Sequence, residues 1–303
     1  MNTMTMSLNG IRVTQPFTLN EFTVDKLKVV WYTGLVGGGF LTERTSFFSN
    51  SLQMLSTSKG AQPKLVTDNS FIKHDSCGYE GLSEIVSYRL LRHTNLSAFP
   101  SIEYHPMKAT GCISPRLDIN AELITLYRGM TRYYSRSLKD IIGYYTSTYD
   151  VLSTSWYDFV LEFIQVYFNY DAQDFLSLLF QFDRLILNTD RHFNNILFMH
   201  LEDGYSPIVF DCGAAFCSDQ TLFSGLDTLA ELKYTLCKPF DEDFDKQVAI
   251  AQSKSSTRLT FLSNLIPLMI SDVPYAGEDK LRVKLILEYQ MSKYYPEVKL
   301  QWM

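Results

Sequence analysis

Apolar and polar residues change their period along this chain. From Ile11 to Tyr32 they alternate, as in IRVTQPF and FTVDKLKVVWY, which predicts strands or a hairpin. GLVGGGF, Gly34 to Phe40, reads as a turn or loop. Lys64–Val66 and Ser70–His74 read as two short strands joined by the turn residues Thr67, Asp68 and Asn69. From Tyr79 to His93 the spacing becomes helical, with Leu82, Ile85, Val86, Leu90 and Leu91 on one stripe. Two further strands are predicted, Ser101–Met107 and Ala121–Gly129.

After Gly129 the pattern is mostly helical. Helices are predicted over Ser137–Tyr145, over Ser155–Phe168, and after an N-cap at Asp171, where Phe175, Leu178, Leu179, Phe182, Leu185 and Ile186 share a stripe. A polar loop follows. Then ILFMH, a Glu202-Asp203-Gly204 turn and PIVFD read as a hairpin, and the chain beyond about Leu222 reads as helices. The expected class is α+β, with a β-rich lobe carrying one helix over 1–129 and a mostly helical lobe over 130–303.

Composition narrows the class. The 303 residues suit one large domain or two lobes, and 46% hydrophobic content is enough for a core. A net charge of -6 argues against non-specific nucleic-acid binding. The five cysteines form no CxxC pair, so reduced thiols in a cytosol-like compartment are expected, not a disulfide framework or a zinc site. MNTMTMSLNGIRV lacks a basic start followed by a long apolar run, so no signal peptide is expected. The apolar stretch Leu259–Ile270 is broken by Ser263, Asn264 and Pro267 and is too short to span a bilayer. A soluble, cytoplasmic protein is the expectation, compatible with delivery to a host cell or to the outside.

The densest chemistry lies in LILNTDRHFNNILF, Leu185 to Phe198. Within it, 188–195 packs an acid, a base, an imidazole and three amides between two apolar runs. Asp190 precedes Asn195 by five residues, and Asp211 follows the hairpin in VFDCG. Phosphoryl transfer needs these parts: a carboxylate to orient and deprotonate a hydroxyl, a neutral oxygen ligand for Mg²⁺, and a second carboxylate for the metal at a strand end. Asp190, Asn195 and Asp211 supply them in that order. Taken alone, each element is ordinary turn chemistry; the hairpin between them returns the chain to its start, so that the two metal ligands can converge.

Phosphates also need cations and amides. Lys73 ends an apolar strand and can reach α- and β-phosphates, with Glu84 on the next helix as its ion-pair partner and Glu80, one turn earlier, as the rival. The bland alternatives are a snorkelling edge lysine and a solvated helix face. Ser56–Lys64, with Gly60 permitting close backbone approach, is favoured over Gly34–Phe40 as the loop covering the phosphates. Its nucleotide-contacting positions would be Ser58, Gly60, Gln62 and Lys64.

The stretches SKGAQPKLV, SFIKH, YEGLSEIVSYRLL, GCISPRL, LITLYRG, FDRLILNTDRHFNNILF, PIVFDCG and CKPF, from about Ser56 to Phe240, resemble the HipA-like serine/threonine kinases. That family has a protein-kinase-like fold shared more distantly with phosphatidylinositol kinases. The resemblance implies a bilobal kinase using ATP and Mg²⁺ on a protein substrate, with room for a regulatory partner. Asp190 would be the base, Asn195 and Asp211 the metal ligands and Lys73 the phosphate contact. The segment near Leu126, Tyr127 and Arg128 would hold adenine. His192 and Arg191 complete the catalytic loop, His192 orienting it and Arg191 acting as scaffold or phosphate contact. The resemblance also implies autophosphorylation at a hydroxyl ahead of Gly60, where Thr57 fits better than Ser56 or Ser58; phosphate there would inhibit by repulsion. Two departures stand out: the metal motif reads DCG, and no APE-like anchor is present. Residues before Phe48 match nothing in the family. The competing readings are a lipid or small-molecule kinase, which a basic membrane-facing helix would favour and this acidic chain lacks, and a pseudokinase, which usually loses one of Lys73, Asp190, Asn195 or Asp211. A metal-dependent hydrolase is disfavoured because His192 and His200 have no ligand-type spacing.

Overall fold

The computed structural model describes residues 64–108, 110–117, 121–142, 153–223 and 228–303, together with strands at 2–8, 11–17 and 28–30. Ser56, Thr57, Ser58, Gly60, Gln62 and the Gly34–Phe40 stretch lie outside the described residues, as does the side chain of Lys64. The architecture is mixed α+β, with separate sheets and a helical cluster.

Strands β1 (Asn2–Leu8) and β2 (Ile11–Phe17) form an antiparallel pair. A five-stranded antiparallel sheet has the order β3-β4-β5-β7-β6, built from Lys28–Val30, Lys64–Val66, Ser70–Lys73, Cys112–Pro115 and His105–Pro106. Thr67 closes the β4–β5 turn: its amide donates to the Ser70 carbonyl at 2.9 Å, and the Ser70 amide donates to its hydroxyl at 2.9 Å. The strand expected over Ser101–Met107 is shorter than predicted. Pro100 and Pro106 limit ladder pairing, leaving β6 and one bridge from Ser101 to Val209.

Helix α1 (Glu80–Leu91) forms where the apolar stripe predicted it, but it is buried nearly all round. One side packs against the five-stranded sheet. On another, the Tyr79 hydroxyl donates to the Phe216 carbonyl at 2.7 Å, and Ser83 Oγ donates to the Ala215 carbonyl at 3.0 Å. Those buried polar contacts explain why its stripe is wider than a surface helix requires.

The strand expected over Ala121–Gly129 ends early. β8 is only Leu123–Thr125, and helix α2 (Leu126–Tyr134) starts directly after it because the Thr125 hydroxyl accepts the Arg128 amide at 3.2 Å, an N-cap. β8 pairs with β9 (Leu197–Leu201), which pairs with β10 (Gly204–Ile208) in a hairpin whose second strand starts at Gly204, ahead of the PIVFD expected. Residues 138–142 are helical. Helix α3 (Ser153–Phe168) and helix α4 (Gln173–Ile186) lie in the core with α6 (Phe244–Gln252), after the short α5 (Thr228–Glu231). Asp171 accepts the Gln173 amide at 3.1 Å, although Ala172 occupies the cap position. The Phe168 and Phe198 rings stack 4.1 Å apart and join α3 to the hairpin. The all-helical expectation beyond Leu222 is corrected: β11 (Leu265–Leu268) and β12 (Lys299–Trp302) form a parallel pair around α7 (Gly277–Tyr294). Pro267 and the polar residues near it hid the strand pattern of β11. Among the described residues no helix is long and apolar enough to cross a membrane.

Candidate functional site

The end of β5, the middle of α1 and the chain after β10 meet at three charged side chains. Lys73 Nζ lies 2.5 Å from Glu84 Oε1 and 2.9 Å from Asp211 Oδ1. The second Glu84 oxygen accepts the Cys212 amide at 2.8 Å, so this carboxylate joins the strand lysine to the DCG backbone. The Tyr104 ring lies under Lys73 Nζ at 5.1 Å, and its hydroxyl accepts the Asp211 amide at 3.3 Å. Burial works against the Lys73 charge, but Asp211 and Glu84 outweigh it and raise its pKa, so the lysine stays protonated.

The geometry also separates the two candidate partners of Lys73. Glu80 is taken up by the turn before α1, where its carboxylate accepts the amides of Ser76, Cys77 and Gly78 at 2.8–3.3 Å. It caps that turn, and Glu84 pairs with the lysine.

The loop 188–195 is built on the end of α4. Leu187 adopts a left-handed φ of 53°, and the Asn188 amide returns to the Asp183 carbonyl at 2.9 Å, which closes the helix. Arg191 then turns inward and is fully buried. Its Nε and one terminal nitrogen bind both Asp183 oxygens at 2.9 and 3.0 Å, and the other terminal nitrogen donates to the carbonyls of Asn195 at 2.7 Å and Phe210 at 2.6 Å. Of the two roles expected for Arg191, this is the scaffold; its guanidinium has no exposed surface to offer a phosphate. Burial alone would lower its pKa, but Asp183 raises it. Arg191 also donates to Cys212 Sγ at 3.4 Å, and Thr189 donates to the Ala214 carbonyl, so the loop and the DCG turn are one unit. Burial pushes the Cys212 thiol up to about 12, which leaves it protonated.

Asp190 is half-exposed at the loop's outer face. Its carbonyl accepts the His192 amide at 2.8 Å and Asn195 Nδ2 at 2.8 Å. That bond commits the amide nitrogen of Asn195 and leaves Oδ1 as the acceptor for a cation. His192 Nε2 lies 3.5 Å from Asp190 Oδ2, while its Nδ1 is buried without a hydrogen-bond partner. On the other side, Lys238 Nζ lies 2.9 Å from Asp190 Oδ1. Sequence reasoning gives Tyr104 no role and includes Lys238 only within the matching stretch CKPF, without a role; both reach the site from distant segments.

Leu126 and Tyr127, the segment expected to hold adenine, are helical and not part of the strand expected over Ala121–Gly129. Both lie in the first turn of α2; the Leu126 side chain is buried in the core, its amide donates to the Ile196 carbonyl at 2.8 Å, and Tyr127 is exposed. Among the described residues, no group of three or more His, Cys, Asp or Glu side chains is placed to hold a metal ion.

Behind Lys73, Asp75 closes a second polar cluster. Its oxygens accept the Gly81 amide at 2.7 Å and the Tyr275 hydroxyl at 2.6 Å, and that hydroxyl accepts the Gly111 amide at 2.6 Å. Gly111 has φ +129°, and a Cβ there would meet the Lys73 carbonyl at 2.2 Å, so the close approach needs glycine. Burial raises the Asp75 carboxyl from 3.8 to about 7, against the hydrogen bonds from Tyr275 and Gly81. The folded state therefore holds this proton more tightly than the unfolded chain. Its contribution to stability is full below about pH 4 and is lost as the pH rises towards 7, at up to ~1.4 kcal/mol per pH unit. Asp75→Asn is expected to flatten that part of the profile. Urea unfolding of both proteins from pH 4 to 8 checks it; parallel profiles would refute the assignment.

Comparison with known proteins gives a distant structural likeness. No protein-family model and no curated protein matches the chain. Among solved structures, the crystal structure of a Helicobacter pylori proinflammatory kinase, CtkA, superposes with a TM-score of 0.46 at 16% identity, covering 77% of this chain and 88% of that chain.

Proposed function

We propose that this chain is a bilobal kinase that transfers the γ-phosphoryl group of ATP to a serine or threonine hydroxyl of a protein. The observation that carries the reading is the joined pair of clusters. Lys73 is held by Glu84 and Asp211, and the residues on either side of Asp211, Phe210 and Cys212, are tied by Arg191 to the loop that presents Asp190 and Asn195. The first lobe would comprise the five-stranded sheet and α1, and the second the helices with the β9–β10 hairpin.

Each side chain has a role consistent with its setting. Lys73, kept protonated, suits the α- and β-phosphates, and Glu84 fixes its direction. Asp211 and Asn195 offer hard oxygens, and Mg²⁺ asks for only one or two protein ligands when phosphates and waters complete its shell, so the donor set fits without a larger acidic cluster. When bound, that ion would neutralise phosphate charge. Asp190 accepts the proton of the attacking hydroxyl. The new bond forms between that oxygen and the γ-phosphorus, the bond to the β,γ-bridging oxygen breaks, and its electron pair leaves on ADP. The phosphate-covering role of Ser58, Gly60, Gln62 and Lys64, and self-phosphorylation at Thr57, remain parts of this proposal.

Incubation with γ-labelled ATP, Mg²⁺ and a protein mixture, beside lipid vesicles, tests the reading. Label on protein is expected for the wild type, with transfer lowered ~100-fold or more in Asp211→Ala through loss of phosphate positioning. Equal labelling by both proteins, or label on lipid alone, would refute it. Peptide mapping of any self-label examines residues 56–58.

A further inference from the structure

We infer that Lys238 is the residue that binds the transferring γ-phosphoryl group; this rests on the kinase reading above and assigns a role that reading leaves empty. In phosphoryl transfer the charge on the equatorial oxygens needs a cation beside the base. The loop itself supplies none. Arg191 is fully buried and spent on Asp183 and two carbonyls. His192 has one ring nitrogen buried and the other 3.5 Å from Asp190. Lys73 is engaged by Glu84 and Asp211. Lys238 comes from elsewhere in the chain, and its Nζ lies 2.9 Å from Asp190 Oδ1.

An ion pair this exposed contributes little to stability, so stability does not account for the contact. The way Lys238 is mounted points instead to positioning. Its neighbour Cys237 is buried, its amide donates to the Glu242 carbonyl at 2.9 Å and its thiol to the Asp241 carbonyl at 3.0 Å. Two residues on, the Phe240 amide donates to Gln247 Oε1 at 3.1 Å. The Phe240 ring packs 4.9 Å from Tyr157 and 5.7 Å from Phe193, which belongs to the loop itself. The backbone is thus pinned on both sides of the lysine and against the segment that carries Asp190. The side chain between these anchors remains half-exposed, with a flexible stem that can exchange the carboxylate for an incoming phosphate.

Calorimetric titration of wild type, Lys238→Ala and Lys238→Arg with Mg²⁺-ADP and with the Mg²⁺ complex of the β,γ-imido analogue of ATP tests this, alongside transfer rates to casein. The wild type is expected to prefer the triphosphate analogue. Lys238→Ala should lose most of that preference, keep its ADP affinity and unfolding midpoint, and drop in kcat by ~100-fold, the scale of one lost charge-stabilising donor. Lys238→Arg should recover part of both. An unchanged ratio of analogue to ADP affinity, or an equal loss for both nucleotides, would overturn the assignment while leaving the kinase reading intact. Failure of the wild type to bind either nucleotide would overturn both.

Discussion

Arg191→Met is expected to destabilise the protein by ~3–5 kcal/mol, the cost of breaking a fully buried ion pair from one side. Three consequences add up at one position. Asp183 keeps a buried carboxylate with only the Asn188 amide to compensate it. The carbonyls of Asn195 and Phe210 lose their donor. The loop 188–195 loses its arginine links to Phe210 and Cys212 and keeps only those from Thr189 to Ala214, so the effect on transfer should exceed the fraction of protein unfolded. The methionine chain fills most of the volume, which separates charge from packing. Urea unfolding measures the loss, and the double variant Asp183→Asn with Arg191→Met should regain a substantial part because no charge is left unpaired. A loss below ~1 kcal/mol in the single variant would mean that water reaches Asp183, and the scaffold role would fall.

Much of the fold was readable because its strongest signals are local. The α1 and α4 stripes form where period predicted them, and the β9–β10 hairpin forms as well, with its second strand three residues earlier than PIVFD. The failures have a different origin. AELITLYRG is apolar enough for a strand throughout, yet Thr125 caps a helix inside it, and a hydroxyl with two equally good local uses cannot be assigned by period. β11 and β12 pair across α7, a contact that neither segment's own pattern encodes.

Within the site, residue types marked the loop and the DCG turn, but not which carboxylate serves Lys73. Glu80 and Glu84 lie one turn apart on α1, so spacing alone left both open. The decision comes from the amides of residues 76–78, which converge on Glu80 and leave Glu84 to the lysine. The contacts of Tyr104 and of Lys238, the latter visible only as part of CKPF, were hidden for the same reason as β12: they are tertiary, Tyr104 to Asp211 and Lys238 to Asp190. Arg191 was visible as a residue but not as a buried one, since an arginine in a polar loop ordinarily faces water.

Asp190→Asn is the substitution that separates chemistry from binding. On the kinase reading it should lower transfer by ~10²–10⁴-fold, the range for a positioned general base. The backbone around it should hold, because the bonds that shape the loop use its main chain: the Asp190 carbonyl takes the His192 amide and the Asn195 side chain. The side chain is half-exposed, so stability should change little. Asparagine retains an oxygen that can accept from Lys238, and the Lys73–Glu84–Asp211 cluster, assigned to the nucleotide on that reading, is untouched. The expected signature is therefore a fall in kcat with unchanged affinity for Mg²⁺-ATP, whereas Asp211→Ala should weaken nucleotide binding as well. Single-turnover rates with calorimetric affinities read the two effects apart. Transfer within threefold of wild type would remove Asp190 from the role of base. A matching loss of nucleotide affinity would mean that this carboxylate binds ATP instead of activating the acceptor.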